Sequence, residues 1–320
     1  MPPFALCLND EPVPPALQGA VVAIGNFDGV HRGHRRLVEA ARERALQLGR
    51  PAAVLTFEPH PRLFFQPDAP LFRLTPEPVK LALLRAQGLA GAFVRGFDAA
   101  LAALSAEGFV TDLLVRRMGI SGVVVGYDFH FGRGREGNPG RLEALSQEHG
   151  LSCTVVNVVA EHGVTVSSTA IRAALEQGDV AAANGLLGYR WFVRAEVRHG
   201  HKRGRDLGYP TANLRLADDT RLRHGIYAVR ARVGDRVHDG VASFGRRPTF
   251  DNGAPLLEAY LFDFAGDLYG QELDVEFVAW IRGEERFESI EALVARMDRD
   301  AEEARGLLAE DPVRSMISVL

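Results

Sequence analysis

"VVAIGNFDGVHRGH", residues 21–34, joins an apolar, β-branched run to a glycine-rich turn and then to a stretch of helical periodicity. Beyond the turn, Leu37, Val38, Ala41, Ala45 and Leu48 recur on one helix face, and Gly49 stands where a left-handed C-cap belongs. Strand, tight turn and helix in that order make the first half of a parallel β-α-β unit. The texture repeats: runs 52–57, 91–96, 122–126 and 153–159 read as further strands, with helical stretches over Pro76–Ala86, Ser105–Met118 and Gly140–His149. Up to about residue 187 the expectation is therefore an α/β domain, a parallel sheet covered by helices with right-handed crossovers.

From about residue 191 short alternating runs take over, punctuated by Gly and Pro. In 273–279 Leu273, Val275, Phe277 and Ala279 share one face, with Asp274, Glu276 and Val278 on the other. Such runs suit a small antiparallel β-barrel or sandwich. Ser289 reads as the N-cap of a terminal helix whose apolar stripe is Ile290, Leu293, Met297, Ala301 and Ala304. "GDVAAANGLLGYR" (178–190) reads as the junction, which gives domains over 1–187 and 188–320.

A chain of 320 residues with 47% apolar and 24% charged residues can bury two cores. A net charge of −4 gives no bias toward nucleic acid or an anionic membrane, and no apolar run is long enough to span a bilayer. Two cysteines, Cys7 and Cys153, offer neither a disulfide framework nor a Cys-based zinc module. The amino-terminal residues carry no secretory pattern, so the expected setting is cytoplasmic. Oligomeric state is not legible.

The turn after residue 24 sits where an open parallel sheet binds ligands, beyond the carboxyl end of a strand and at a helix N-terminus that favours anions. Gly25, Gly29 and Gly33 allow a sharp turn and close approach of phosphate. The His31/His34 pair could offset charge developing at an attacked phosphorus. A zinc site is the other reading of His-x-x-His, but no third or fourth ligand stands at suitable spacing. Gly132, Gly134 and Gly137 spell a dinucleotide fingerprint, yet "YDFHF" precedes them and Asn138-Pro139-Gly140 interrupts before the next helix, so they read as a loop.

"GNFDGVHRGH" resembles the signature of the nucleotidyltransferase superfamily, whose domain is a Rossmann-like sheet. "TFEPHPRLFF" (56–65), "VGYDFHFGRGREGN" (125–138) and "VSSTAIRAAL" (166–175) narrow the resemblance to the prokaryotic FAD synthetase module. The resemblance implies ATP contacts at Gly25, Asn26, Phe27, Asp28, Gly33, Ser168, Thr169 and Arg172, with His31 and His34 catalytic. It implies a flavin pocket near Phe65, Asp128 and Phe131. Taken alone, the hydroxyls of "SSTAIR" could equally be an ordinary helix cap.

"HGHKRGRDLGYPTANL" (199–214) combines glycines with cations and could cradle phosphates, or carry a basic patch for nucleic acid. It resembles the riboflavin kinase signature, supported by "GVASFGRRPTF" (240–250), "LEAYLFDFAGDLYG" (257–270) and "RGEERF" (282–287). The resemblance implies that Gly200, Gly204, Gly208, Thr211 and Asn213 hold ATP and Mg²⁺, with Thr211 a metal ligand, and that Glu258 is the base activating the ribityl hydroxyl. Ser243 stands where the family usually has Asn, and His130 where it often has Arg or Thr.

The implied activity is bifunctional, riboflavin to FMN and FMN to FAD, with ATP, Mg²⁺ and flavins as the small molecules and no nucleic-acid or membrane partner. Two other readings remain: a nucleotidyltransferase of different substrate with a non-catalytic β domain, and a flavin-binding regulatory protein.

Overall fold

The computed structural model describes residues 3–161, 163–199, 208–246, 254–311, 315–318 and 320. They form two compact units, Met1–Leu71 with Thr75–Val166, and Phe72–Leu74 with Ser167–Leu320.

The first unit is built on six parallel strands, β1 (Ala5–Leu8), β2 (Val21–Ile24), β3 (Ala52–Glu58), β4 (Gly91–Gly96), β5 (Gly122–Gly126) and β6 (Ser152–Val156). Their order is β1-β4-β3-β2-β5-β6. Residues of β2 are buried on both faces, as a central strand between two helix layers requires. The order reverses at β2, which has β3 on one side and β5 on the other, so the chain leaving β2 stands at the topological switch point. Strand β1 is the one that the alternation of apolar residues does not reveal. It has only Cys7 buried and lies at the edge, docked where Gly91 admits it: a Cβ there would fall 2.0 Å from the Ala5 carbonyl oxygen.

Helix α1 (Arg32–Leu48) follows β2, buries Leu37, Val38, Ala41 and Ala45, and ends at Gly49 with φ 62°. Next come α2 (Pro61–Phe65), α3 (Glu77–Arg85), α4 (Ala99–Ala103) and α5 (Ala106–Gly108), which runs on as a π-helix over Phe109–Arg117. Helix α6 (Pro139–Glu148) starts from the Asn138 cap, so the Gly132–Gly137 stretch closes as a loop over a 3₁₀ turn and opens no helix directly. Strand β6 ends at Val156, short of the expected 159, and a hairpin of β7 (Ala160–Glu161) and β8 (Val164–Thr165) follows.

The second unit begins with α7 (Ser168–Gln177) and α8 (Val180–Leu187). Asn184 of α8 donates from Nδ2 to the Phe277 carbonyl at 3.0 Å and accepts from the Trp191 amide at 2.8 Å, which fastens the helix to the strands after it. Those strands are β9 (Phe192–Arg198), β10 (Ala212–Arg215), β11 (Gly225–Val233), β12 (Arg236–Arg246), β13 (Pro255–Leu261) and β14 (Glu272–Arg282). They close in the order β10-β13-β12-β11-β14-β9, a barrel and not a sandwich. Leu214, Tyr227, Phe244, Leu257 and Phe277 fill it.

The terminal helix α9 (Ile290–Ala309) is capped by Ser289 and lies on the outer barrel face, where Ala304 and Leu308 meet Ala228, Val241 and Phe262. Ile290, expected on the packed stripe, is exposed in the first turn. One further detail of 273–279 differs from the strict alternation. A register shift opposite Ala228/Val229 turns Ala279 onto the outer cluster, because a bulge offsets the following residues by one. Asp274 and Glu276 take the face opposite the barrel core, as the alternation predicts, and are buried there too: Asp274 takes both Arg194 and Arg232, and Glu276 accepts from Ser315, Met316 and Ile317.

Candidate active sites

The turn between β2 and α1 is strained. Phe27 and Val30 adopt φ of 51° and 37°, a region that disfavours side chains and above all a β-branched one. The Val30 amide bonds back to the Phe27 carbonyl at 3.1 Å. Asp28, 1% exposed, accepts the Thr75 amide at 2.9 Å, while the Thr75 hydroxyl accepts the Gly29 amide at 2.9 Å. Strain maintained by buried partners is characteristic of sites that must present backbone in one arrangement.

His31 caps α1, its Nδ1 accepting the His34 amide at 3.2 Å, so a neutral His31 ring carries its proton on Nε2. The two imidazoles stack with centroids 3.6 Å apart and planes 13° from parallel. Gly33 makes room for that stack: a Cβ on it would lie 3.2 Å from Nδ1 and Cε1 of His31. Phe27 closes the other side of His34, ring to ring at 5.1 Å. No acidic residue stands in the first turn of α1, so nothing within that turn neutralises the positive end of the helix dipole. Burial, with the His31 ring and the Lys80 ammonium nearby, holds the His34 pKa well below the ordinary histidine range. The ring is therefore neutral at pH 7, and its buried Nδ1 has no hydrogen-bond partner among the described residues. Among the described residues no group of three or more His, Cys, Asp or Glu stands together as metal ligands.

In the barrel, three polar residues face one another across adjacent strands. Glu258 on β13 stands opposite Asn213 on β10 and opposite Ser243 on β12. Directly paired residues share a face of the sheet, and here it is the outer one, since Leu257 and Ala259 point inward. Asn213 donates from Nδ2 to the Thr211 carbonyl at 3.2 Å, which fixes the amide plane. Tyr209 reaches from the same turn to Asp298 of α9 and packs against Tyr260, two residues along from Glu258. Gly208 has φ 84°, as a turn into β10 demands, whereas Gly200 and Gly204 lie outside the described residues.

Comparison with known proteins agrees in both halves. A family model described as FAD synthetase matches residues 13–170, and one described as riboflavin kinase matches 187–308. The bifunctional riboflavin kinase/FMN adenylyltransferase of Escherichia coli K12 is 40% identical over 90% of this chain and 92% of its own. The chain belongs to this family. The enzyme of the same name from Bacillus subtilis is 35% identical over 89% of this chain and 91% of its own. A crystal structure named as that of a macrolide-efflux protein from Streptococcus pneumoniae is similar at TM-score 0.85 and 30% identity, covering 94% and 98% of the two chains. No helix among the described residues of this family member is long and apolar enough to cross a membrane.

The remaining residues singled out by the family resemblance lie as follows. Ser168, Thr169 and Arg172 start α7 in the second unit; Ser167, one residue earlier, is the cap, and Arg172 donates from Nε to the Phe72 carbonyl at 2.6 Å. Phe65 is 64% exposed, in mutual edge contact with Phe64 and Phe97. Asp128 is exposed, and its carbonyl lies 2.8 Å from His130 Nδ1. Phe131 is 6% exposed, enclosed by Phe129 and Phe109. Sequence reasoning missed Thr75 and Lys80, which secure the β2–α1 turn from α3 and its approach. A lysine among the apolar positions of α3, beside Val79 and Leu83, was the one available signal.

Proposed function

We propose that residues 1–187 transfer AMP from ATP to FMN, giving FAD and pyrophosphate, and that residues 188–320 phosphorylate riboflavin to FMN with ATP. The observation carrying the first assignment is the stacked His31–His34 pair at the positive end of α1, on a turn held rigid at the sheet's switch point. In adenylyl transfer an FMN phosphate oxygen attacks the α-phosphorus as the bond to pyrophosphate breaks, and catalysis is chiefly positioning and stabilisation of spreading charge. The turn's backbone at Gly25, Asn26, Phe27, Asp28 and Gly33 would approach the phosphates, because the Asp28 carboxylate itself is turned into the protein. His34, neutral in the free protein, would donate a hydrogen bond to the phosphate chain or take up a proton as that anion arrives. Ser168, Thr169 and Arg172 belong to the same proposal as nucleotide contacts, Phe65 and Asp128 as flavin contacts, and buried Phe131 as a support of the flavin-side loop.

For the kinase, the row Asn213–Glu258–Ser243 supports Glu258 as acceptor of the ribityl hydroxyl proton while that oxygen attacks the γ-phosphorus and the bond from γ-phosphorus to the departing ADP breaks. Mg²⁺ uses few protein oxygens and several from phosphate and water. The Asn213 amide, oriented through Nδ2, and the half-buried Thr211 carry oxygens of the kind that demand calls for. When bound, the ion would offset polyphosphate charge. Gly200, Gly204 and Gly208 would line the phosphates. The proposal includes a cytoplasmic setting and no nucleic-acid or membrane partner.

Chromatography of products from riboflavin, ATP and Mg²⁺ over time tests both halves. His31→Ala should stop FAD formation and leave FMN accumulating. Glu258→Ala should stop FMN formation yet convert supplied FMN to FAD. Either variant abolishing both steps, or Glu258→Ala still making FMN, would refute the assignment.

A further inference from the structure

Helix α3 carries a lysine where an apolar residue is the usual choice. Lys80 is 1% exposed. Its ammonium donates to Thr56 Oγ1 at 3.0 Å, to the Asn26 carbonyl at 3.4 Å and to the Phe57 carbonyl at 3.5 Å, and it pairs with Glu58 at 2.5 Å. Thr56 in turn donates to the same Asn26 carbonyl at 3.2 Å. A buried ammonium carries a large desolvation cost, and an apolar residue of similar size would fill the space without it. Its partners are not scattered: they join the end of β3 to the first residue after Gly25 in the strained turn. Thr75, at the approach to the same helix, holds Asp28 and Gly29 of that turn.

We propose that Lys80 is a positioning residue for adenylyl transfer: from α3 its buried ammonium fixes the Asn26 carbonyl and the carboxyl end of β3, and so sets where the backbone and histidines of the β2–α1 turn meet the nucleotide. This rests on the adenylyltransferase reading of the first unit. The ammonium touches no reacting atom. It acts through the turn, and through a positive field that opposes protonation of His34 before an anion is bound. Among the described residues, the groups acting electrostatically on His34 are His31 on its own segment and Lys80 from α3, the latter paired with Glu58 of β3, while the nearby turn carboxylate Asp28 is turned toward Thr75.

Full-length Lys80→Met keeps the volume and removes the charge. With FMN and ATP, its kcat for FAD formation should fall about 10- to 100-fold, the scale of a small misplacement of reacting groups, with KM for FMN little changed. Riboflavin phosphorylation by the same preparation should stay at the wild-type rate. In the free protein the His34 ring, followed by NMR, should titrate at higher pH. Glu58→Gln, which strips the counter-ion, should move that titration the opposite way. Wild-type kcat in Lys80→Met, or a loss that tracks the folded fraction alone with His34 titrating as before, overturns the proposal. Should Lys80→Met fail to fold, Thr56→Val removes the hydroxyl linking Lys80 to Asn26. Its FAD formation should drop in the same direction but less, and unchanged FAD formation there with an unmoved titration in Glu58→Gln also overturns the proposal. A wild-type enzyme that makes FMN but no FAD refutes the underlying reading instead, and is recognised before any variant is compared.

Discussion

Gly33→Ala separates catalysis from stability. Gly33 lies in the first turn of α1 with an ordinary helical backbone, so alanine meets no conformational penalty, and the Gly-to-Ala gain in helix propensity is at most about 1 kcal/mol. Against it stands the His31 ring, whose Nδ1 and Cε1 would be 3.2 Å from the new methyl group, so the ring must shift by a few tenths of an ångström. That shift stretches a capping bond already 3.2 Å long, and losing such a cap costs about 0.5–2 kcal/mol. The two effects nearly cancel, and the unfolding free energy from urea titration should stay within about 1 kcal/mol of wild type. Under the proposed adenylyltransferase reading catalysis has no such compensation, because the His31–His34 stack would move against the phosphates. FAD formation from FMN should fall about 10- to 100-fold, with riboflavin phosphorylation unchanged. Wild-type FAD formation in Gly33→Ala would show that the stack's position does not matter and would refute the reasoning.

Thr75→Val leaves the buried Gly29 amide without its acceptor, so the first unit should lose about 1–3 kcal/mol, read by denaturant unfolding, and FAD formation should weaken with it. His34 is held neutral by the fold, so the unfolded chain binds its proton first as pH falls. Its contribution to stability is complete above pH ~6.5 and is lost below that at about 1.4 kcal/mol per pH unit until the depressed pKa is reached. Unfolding free energies of wild type and His34→Gln, compared between pH 7 and pH 5, should converge on acidification, and parallel curves would contradict the assignment.

The parallel sheet, the barrel and most helix ends were legible because local signals agreed: the run of β2, the stripe of α1 with its Gly49 cap, and the Ser289 cap of α9. Features set by long-range contact were not. Strand β1 buries a single residue, and nothing local distinguishes it from a loop. Alternation placed Asp274 and Glu276 on the face away from the barrel core, but it does not report that arginines or residues 315–317 will cover that face. The strand, turn and helix start were readable in "GNFDGVHRGH", but the fastening of the turn was not: Asp28 and Thr75 are 47 positions apart, and Lys80 meets Asn26 across 54. The opposition of Asn213, Glu258 and Ser243 needed the barrel register, which no single strand encodes.

Residues Phe72–Leu74 count with the second unit although the chain on either side of them counts with the first. Phe72 supplies the carbonyl that Arg172 donates to, Leu74 the carbonyl for the buried indole N–H of Trp191, and the Phe72 and Trp191 rings meet edge to face. One cut therefore cannot separate the halves cleanly. A fragment expressed from Ser167 onward would carry a Trp191 donor with no acceptor and an uncovered aromatic face, a defect of about 1–3 kcal/mol from the lost hydrogen bond alone. Supplying a short peptide that spans residues 72–74 in trans would be the way to restore it.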